Sequence, residues 1–321
     1  MKKTMRSLLL AAALAASGTS FAQSYPVKPV RLLTVLTAGA DTWIRVMAGR
    51  LADNNGQPFI VENRPGASGV IAVQAVTGAA PDGHTLLVHG APYLISKAIQ
   101  PNLAMDPANE LAPVVKVYGS GPIGVVVSGA SPSANVEDLV ARLKASPGKL
   151  TFGSAGLGLI HHFAGELFLT ATQTQALHIP FKGPDLYTAL MRGDIDFTVS
   201  PMTVIMPLVK AGKMRLLATM NAGRHSALPD VRTLNELYKN ELVVMEFWAG
   251  LAAPVKTPAP IIRAIHAATV RALDDPAVRN AIEVGLNVPT PAESVEAFTA
   301  FVRRENDKAR EIVKLTGIKG E

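Results

Sequence analysis

Short apolar runs and amphipathic stretches alternate along most of this chain. Residues 30–36 form a compact apolar run that predicts a buried strand. Residues 41–52 repeat their apolar positions at helical spacing, with Trp43, Val46, Met47 and Leu51 on one face. Residues 59–61 predict a short strand, ended by Asn63-Arg64-Pro65-Gly66. A helix follows over 68–78, capped by Ser68 and stopped before Pro81-Asp82-Gly83, and 85–89 is a third strand. A βαβαβ opening implies a parallel sheet covered by helices on both faces.

A second unit follows in the same style. Helices are expected over 136–145 (capped by Asn135), 160–170, 184–191 and 203–211, with strands over 150–152, 176–179, 195–199 and 214–218. Two extended apolar runs, 114–127 and 242–253, lie between the units, and three helices over 258–273, 276–285 and 291–315 close the chain without strands of their own. The economical path leads from one lobe to the other and back. It makes lobe one from 23–122 with 249–321 and lobe two from 123–248, joined by two strand-like crossings. Ligands of such sheets sit beyond the carboxyl ends of the strands, so the space between the lobes is the expected site.

The first 22 residues have another character: Lys2, Lys3 and Arg6, then an apolar stretch over 8–16, then Ser20-Phe21-Ala22. That is the layout of a secretory signal peptide, too short to span a bilayer, and cleavage is expected after Ala22. The formal charge of +6 includes the leader's three basic residues and falls to +3 without them, too little and too scattered for a nucleic-acid partner. The chain has no cysteine, which excludes thiolate chemistry, cysteine-ligated zinc and iron–sulfur clusters. A soluble, cysteine-free, exported monomer of the bacterial periplasm is the expected class.

Particular motifs narrow this. Asn63-Arg64-Pro65-Gly66-Ala67-Ser68-Gly69 and Ala80-Pro81-Asp82-Gly83-His84-Thr85-Leu86-Leu87 resemble the paired N-R-P-G-x-x-G and P-D-G-x-T-L-L motifs of the tripartite tricarboxylate transporter receptors, also called the Bug family. Further matches include Pro147-Gly148-Lys149-Leu150, Ser154-Ala155-Gly156, Pro180-Phe181-Lys182-Gly183 and Ala227-Leu228-Pro229-Asp230-Val231. The resemblance implies an α/β fold of the type II periplasmic binding class. It would have two Rossmann-like lobes joined by two crossing strands, with a ligand cleft between. It also implies capture of a small organic carboxylate for a tripartite tricarboxylate-type membrane permease, without catalysis.

A carboxylate in a cleft must exchange water for fixed donors, and helix N-termini supply them. Two segments have that form: Thr37-Ala38-Gly39-Ala40 before the helix at Asp41 and Thr42, and Ser154-Ala155-Gly156-Leu157-Gly158 before the helix at Ile160. The resemblance implies binding loops at these two places. Asp41 either caps its helix or touches the ligand. His89-Gly90-Ala91-Pro92 is a candidate third loop, and His161 and Ser200 complete the candidate lining.

The departures from the family pattern carry information too. The first loop is about two residues shorter than usual, and Leu157, Leu159, Ile160 and His161 stand where a polar run is usual. These side chains either pack in lobe two or line the cleft; in the cleft they favour a ligand less polar than citrate, a monocarboxylate or an aromatic acid. Gly119-Ser120-Gly121-Pro122-Ile123-Gly124 spells G-x-G-x-x-G, but a strand follows where dinucleotide binding needs a helix, so a hinge is expected. His161-His162 with Glu166 does not make a metal motif, because adjacent helical residues point about 100° apart. No metal or cofactor is expected. Trp43 and Trp248 are expected in the core or hinge. Two rival readings are an exported hydrolase using Ser154 and His161, and a ligand sensor or interaction protein without a transport role.

Overall fold

Val30, Leu32 and Leu33 are wholly buried because their strand is covered on both faces. This strand, β1 (Val30–Thr34), pairs in parallel with β2 (Phe59–Asn63) and β3 (Thr85–Gly90). The computed structural model describes residues 25–36, 41–66, 69–183, 185–291 and 293–318. The expected leader, Thr37, Ala38, Gly39 and the expected cap Ser68 lie outside them.

The rest of the first sheet is antiparallel. β10 (Phe247–Pro254) inserts between β3 and β4 (Leu111–Gly121), and β11 (Val288–Pro289) adds an edge to β4. The expectation of a parallel sheet therefore holds for its first three strands only. β4 and β10 carry the chain out to the other sheet and back, so they run against their neighbours. β11 also corrects the expectation of a strand-free closing segment.

The second sheet has the order β7-β6-β8-β5-β9, formed by β5 (Ile123–Ser128), β6 (Thr151–Ser154), β7 (Leu177–Pro180), β8 (Phe197–Pro201) and β9 (Met214–Thr219). β6 runs parallel to β7 and β8, and β5 antiparallel to β8 and β9. Only Pro122 separates β4 from β5. The return run, expected as a strand from 242, begins instead as a short turn over Glu241–Val243, where Asn240 Oδ1 accepts the Leu242 N–H at 3.0 Å.

The helices of the first sheet are α1 (Thr42–Asn55), α2 (Val70–Thr77), α3 (Ala91–Ile99) and α4 (Pro107–Glu110). Those of the second are α5 (Val136–Ala145), α6 (Ile160–Thr172), α7 (Asp185–Arg192), α8 (Met202–Lys210) and α9 (Leu234–Tyr238). The chain closes with α10 (Ala259–Leu273), α11 (Pro276–Glu283) and α12 (Val295–Thr316). Helices α1, α10 and α11 cover one face of the first sheet, and α2 packs Val73 and Val76 on the other. Helix α12 repeats apolar positions at Phe298, Val302, Ala309 and Ile312 and shares one continuous apolar cluster with α3 and α6. Trp248 anchors this junction: it is 1% exposed, and its Nε1 donates to Glu305 at 3.3 Å.

Candidate functional site

The carboxyl ends of β1, β3, β6 and β8 all turn toward the space between the two sheets, and helices α1, α3, α6 and α8 start there. None of these four helices has a side-chain cap, nor does α2 at Gly69. Four helices with ends elsewhere are capped, α5 by Asn135, α9 by Thr233, α11 by Asp275 and α12 by Ser294, whereas the short α4 is not. Helix α10, after Pro258, also lacks one. Leaving out the cap keeps the positive ends of the helix dipoles available to a negatively charged guest.

Two cavities occupy this space. The first, of about 240 Å³, is lined by Trp43, Tyr118, Phe247, Leu36, Val204 and the start of α6 at Leu159-Ile160-His161. Trp43 meets Tyr118 edge to face at 5.1 Å and 81°. The second, of about 390 Å³, is lined by Gly66, Gly69, Tyr93, Ser96, Gly156 and Leu157. Val35, Pro92 and Leu159 belong to both walls. Neither wall contains Lys, Arg, Asp or Glu among the described residues.

Asp41 is 3% exposed and does not cap α1 with its side chain. Its Oδ2 accepts from Arg45 Nη2 at 2.7 Å and from Asn63 Nδ2 at 3.0 Å. Burial pushes its carboxyl up, but the hydrogen bonds from Asn63 and Arg45 together outweigh this and hold it below the ordinary range. Its Oδ2 is thus held by Arg45 and Asn63, and its charge has the wrong sign for an anionic guest. Thr42 opens α1 at the exposed surface, outside both cavity walls.

The expected third loop is a helix instead. β3 runs directly into α3 through the extended residue Gly90, so His89 and Ala91 point behind the cleft. His89 is 1% exposed, stacked on Tyr93 at 5.8 Å and edge-on to Trp248 at 5.4 Å; burial lowers its pKa to about 4. Ala91 contributes to a separate small cavity with Leu94 and Phe163. Pro92 is the residue of this segment that reaches the cleft.

In lobe two, Ser154 is wholly buried beneath its loop. Its Oγ accepts the Gly156 N–H at 3.2 Å, donates to the Gly156 carbonyl at 3.0 Å and lies 2.7 Å from His178 Nε2. Gly156, at φ +143°, and Leu157 reach the second cavity. Gly158, at φ +69°, donates its N–H to His162 Nδ1 at 3.2 Å. His161 turns the other way, into the wall of the first cavity, with Nε2 3.2 Å from Tyr187 Oη, which is 3.1 Å from Ser200 Oγ. Ser200 therefore supports the wall from behind. Burial lowers the His161 pKa to about 4, so the imidazole is neutral. The pairing of Ser154 with His161 is not formed, because Ser154 meets His178 instead.

Trp43 is in the core as expected, 4% exposed and part of the cluster under the first sheet, and it also reaches the wall of the first cavity. Sequence reasoning missed Tyr118, Tyr187, Phe247 and Asn287. Tyr118 and Phe247 stand on the two crossing strands at 6.3 Å from each other, a signal hidden until β4 and β10 are paired.

The family model described as the tripartite tricarboxylate transporter family receptor matches residues 43–318. The UPF0065 protein in the gbd 5′ region of Cupriavidus necator is 36% identical over 301 residues, 92% of this chain and 90% of that protein. R. palustris Rpa4515 with adipate superposes with a TM-score of 0.82 at 26% identity, covering 92% of this chain and 99% of that one. MatC from Rhodopseudomonas palustris with bound malate gives 0.78 at 26% identity, covering 90% and 100%.

Proposed function

The chain belongs to the tripartite tricarboxylate transporter receptor family, and from that premise we propose that it captures an organic acid less polar than citrate, a monocarboxylate or an aromatic acid. Its fold is that of the type II periplasmic binding proteins, and the family is one of solute-binding receptors rather than enzymes. In this reading the lobes formed by 23–122 with 249–321 and by 123–248 close over the acid in the periplasm, after removal of residues 1–22. The closed monomer then presents its cargo to a tripartite permease and turns nothing over.

The observation that carries the reading is the wall of the first cavity. Trp43, Phe247 and Val204 offer contact area, and the polar groups beside them, on Tyr118, Thr203 and Asn287, bring no positive charge to balance a second or third buried carboxylate. His161 is neutral and adds no positive charge. One carboxylate can be met at the uncapped starts of α2 and α6, whose first-turn N–H groups have no side-chain acceptor; the N–H groups of Gly69 and Gly156 are themselves taken by the Gly66 carbonyl and Ser154 Oγ. Citrate would leave charges unmatched. The relatives with adipate and with malate support the general class, a small organic acid.

A ligand that touches both lobes stabilises the closed form, and only that differential contact can drive closure. Binding should raise apparent stability by about 2.7 kcal/mol at a hundredfold excess over Kd. A thermal-shift screen of mono-, di- and tricarboxylates, followed by calorimetry, tests this. Tight citrate binding with no response to any monocarboxylate or aromatic acid would overturn it.

A further inference from the structure

Among the described residues, the two cavities share Val35, Pro92 and Leu159 as a common wall. Their chemistry differs. The second has glycine backbone at Gly66, Gly69 and Gly156, the uncapped starts of α2, α3 and α6, and Ser96, whose hydroxyl is enclosed without a partner in a residue 1% exposed. The first has three aromatic rings. Resting on the proposed function, we infer that the cleft is a two-chamber site for a dumbbell-shaped acid, with Leu159 as the specificity residue at its neck. The carboxylate lies in the glycine chamber and an aryl or branched apolar body lies against Trp43, Tyr118 and Phe247. A slender methylene linker passes beside Leu159. A ring joined directly to its carboxylate must force the neck open, whereas an arylalkanoate does not.

Leu159 suits a test because it is half-buried at the N-cap of α6 and belongs to none of the buried core clusters. Calorimetry would compare benzoate, phenylacetate, 3-phenylpropionate and citrate on the wild-type protein and on Leu159→Ala and Leu159→Trp. The wild type should bind 3-phenylpropionate at least about tenfold more tightly than benzoate. Leu159→Ala should bring the two within about threefold by widening the neck, and Leu159→Trp should weaken 3-phenylpropionate by roughly a hundredfold, with unliganded Tm unchanged. Equal wild-type affinities for benzoate and 3-phenylpropionate would overturn this inference alone and leave the receptor reading standing. So would an unchanged ratio in Leu159→Ala. The wild-type comparison decides even if a variant fails to fold. Binding of citrate but of no aryl acid would overturn this inference, and the same result extended to aliphatic monocarboxylates would overturn the proposed function as well.

Discussion

His162 and His178 stack face to face beneath the lobe-two loop, with ring centroids 3.9 Å apart and planes 4° from parallel. Such a stack disfavours charge on both rings at once. His162 Nδ1 accepts the Gly158 N–H, and His178 Nε2 reaches Ser154 Oγ, so the pair holds the loop through both its ends. Burial lowers both pKa values to about 4, with the charge of His162 adding to the effect on His178. Glu166, whose carboxyl burial pushes up, is 3.9 Å from His162 Nε2 and offers little compensation to an imidazolium.

The stack therefore predicts acid lability. The unfolded chain takes up protons near the ordinary histidine value of 6.5, whereas the folded one resists until about 4. Stability is full above the unfolded value and falls as pH drops through that window, and half-buried His178 contributes less than the roughly 3 kcal/mol of a fully buried histidine. His89 and His161, also lowered to about 4 by burial, act in the same direction. Urea denaturation at stepped pH should show this slope, and His178→Phe should flatten it. A midpoint independent of pH across this range would refute the assignment.

Ring proximity also predicts which tryptophan reports binding. Trp43 is in the cavity wall, whereas Trp248 is 1% exposed and held by Glu305. Ligand addition should change intrinsic fluorescence in Trp248→Phe and leave it nearly silent in Trp43→Phe. Trp43→Phe should also weaken an aryl acid by about tenfold through lost contact area. Retention of the full signal in Trp43→Phe would place the ligand elsewhere.

Much of the architecture was legible because periodicity and turn residues act locally. The alternation of strands and helices, the Asn135 cap and the Pro122 crossing were all visible in the pattern. Helix α3 was not: Gly90-Ala91-Pro92 reads as a turn, yet Pro92 stands in the first turn of α3, where a missing N–H costs nothing. The site was legible only at its loops. Its aromatic wall draws on Trp43, Tyr118 and Phe247, far apart in sequence and joined by sheet pairing. Ser154 and Ser200 looked like ligand donors because sequence does not show that His178 and Tyr187 engage them.

The loop carrying Gly156 depends on a backbone conformation closed to other residues. At φ +143° a side chain is strained, and a Cβ there would approach Leu159 Cδ1 at 3.3 Å. Gly156→Val should weaken carboxylate binding by about tenfold to a hundredfold while the far-UV circular dichroism is unchanged. Gly193, also at positive φ but with open space around it and outside both cavity walls, is the control. Gly193→Ala should cost some stability and leave affinity alone. Equal affinity losses in both variants would show that the effect is general strain rather than damage to the site.

Tyr187 predicts a coupling behind the cavity. Its hydroxyl spans His161 Nε2 and Ser200 Oγ, and His161 Nδ1 is enclosed without a partner. Tyr187→Phe leaves two further buried polar groups unmatched and should cost about 1–3 kcal/mol. Ser200→Ala alone removes one partner and should cost less, because Tyr187 keeps its contact with His161. Adding Ser200→Ala to Tyr187→Phe should add little or recover part of the loss, since the hydroxyl it would orphan is gone. A double-mutant cycle in urea therefore separates a connected chain from two independent contacts. Strict additivity would mean that Tyr187 and Ser200 act independently and that the contact from Tyr187 to His161 does not extend to Ser200.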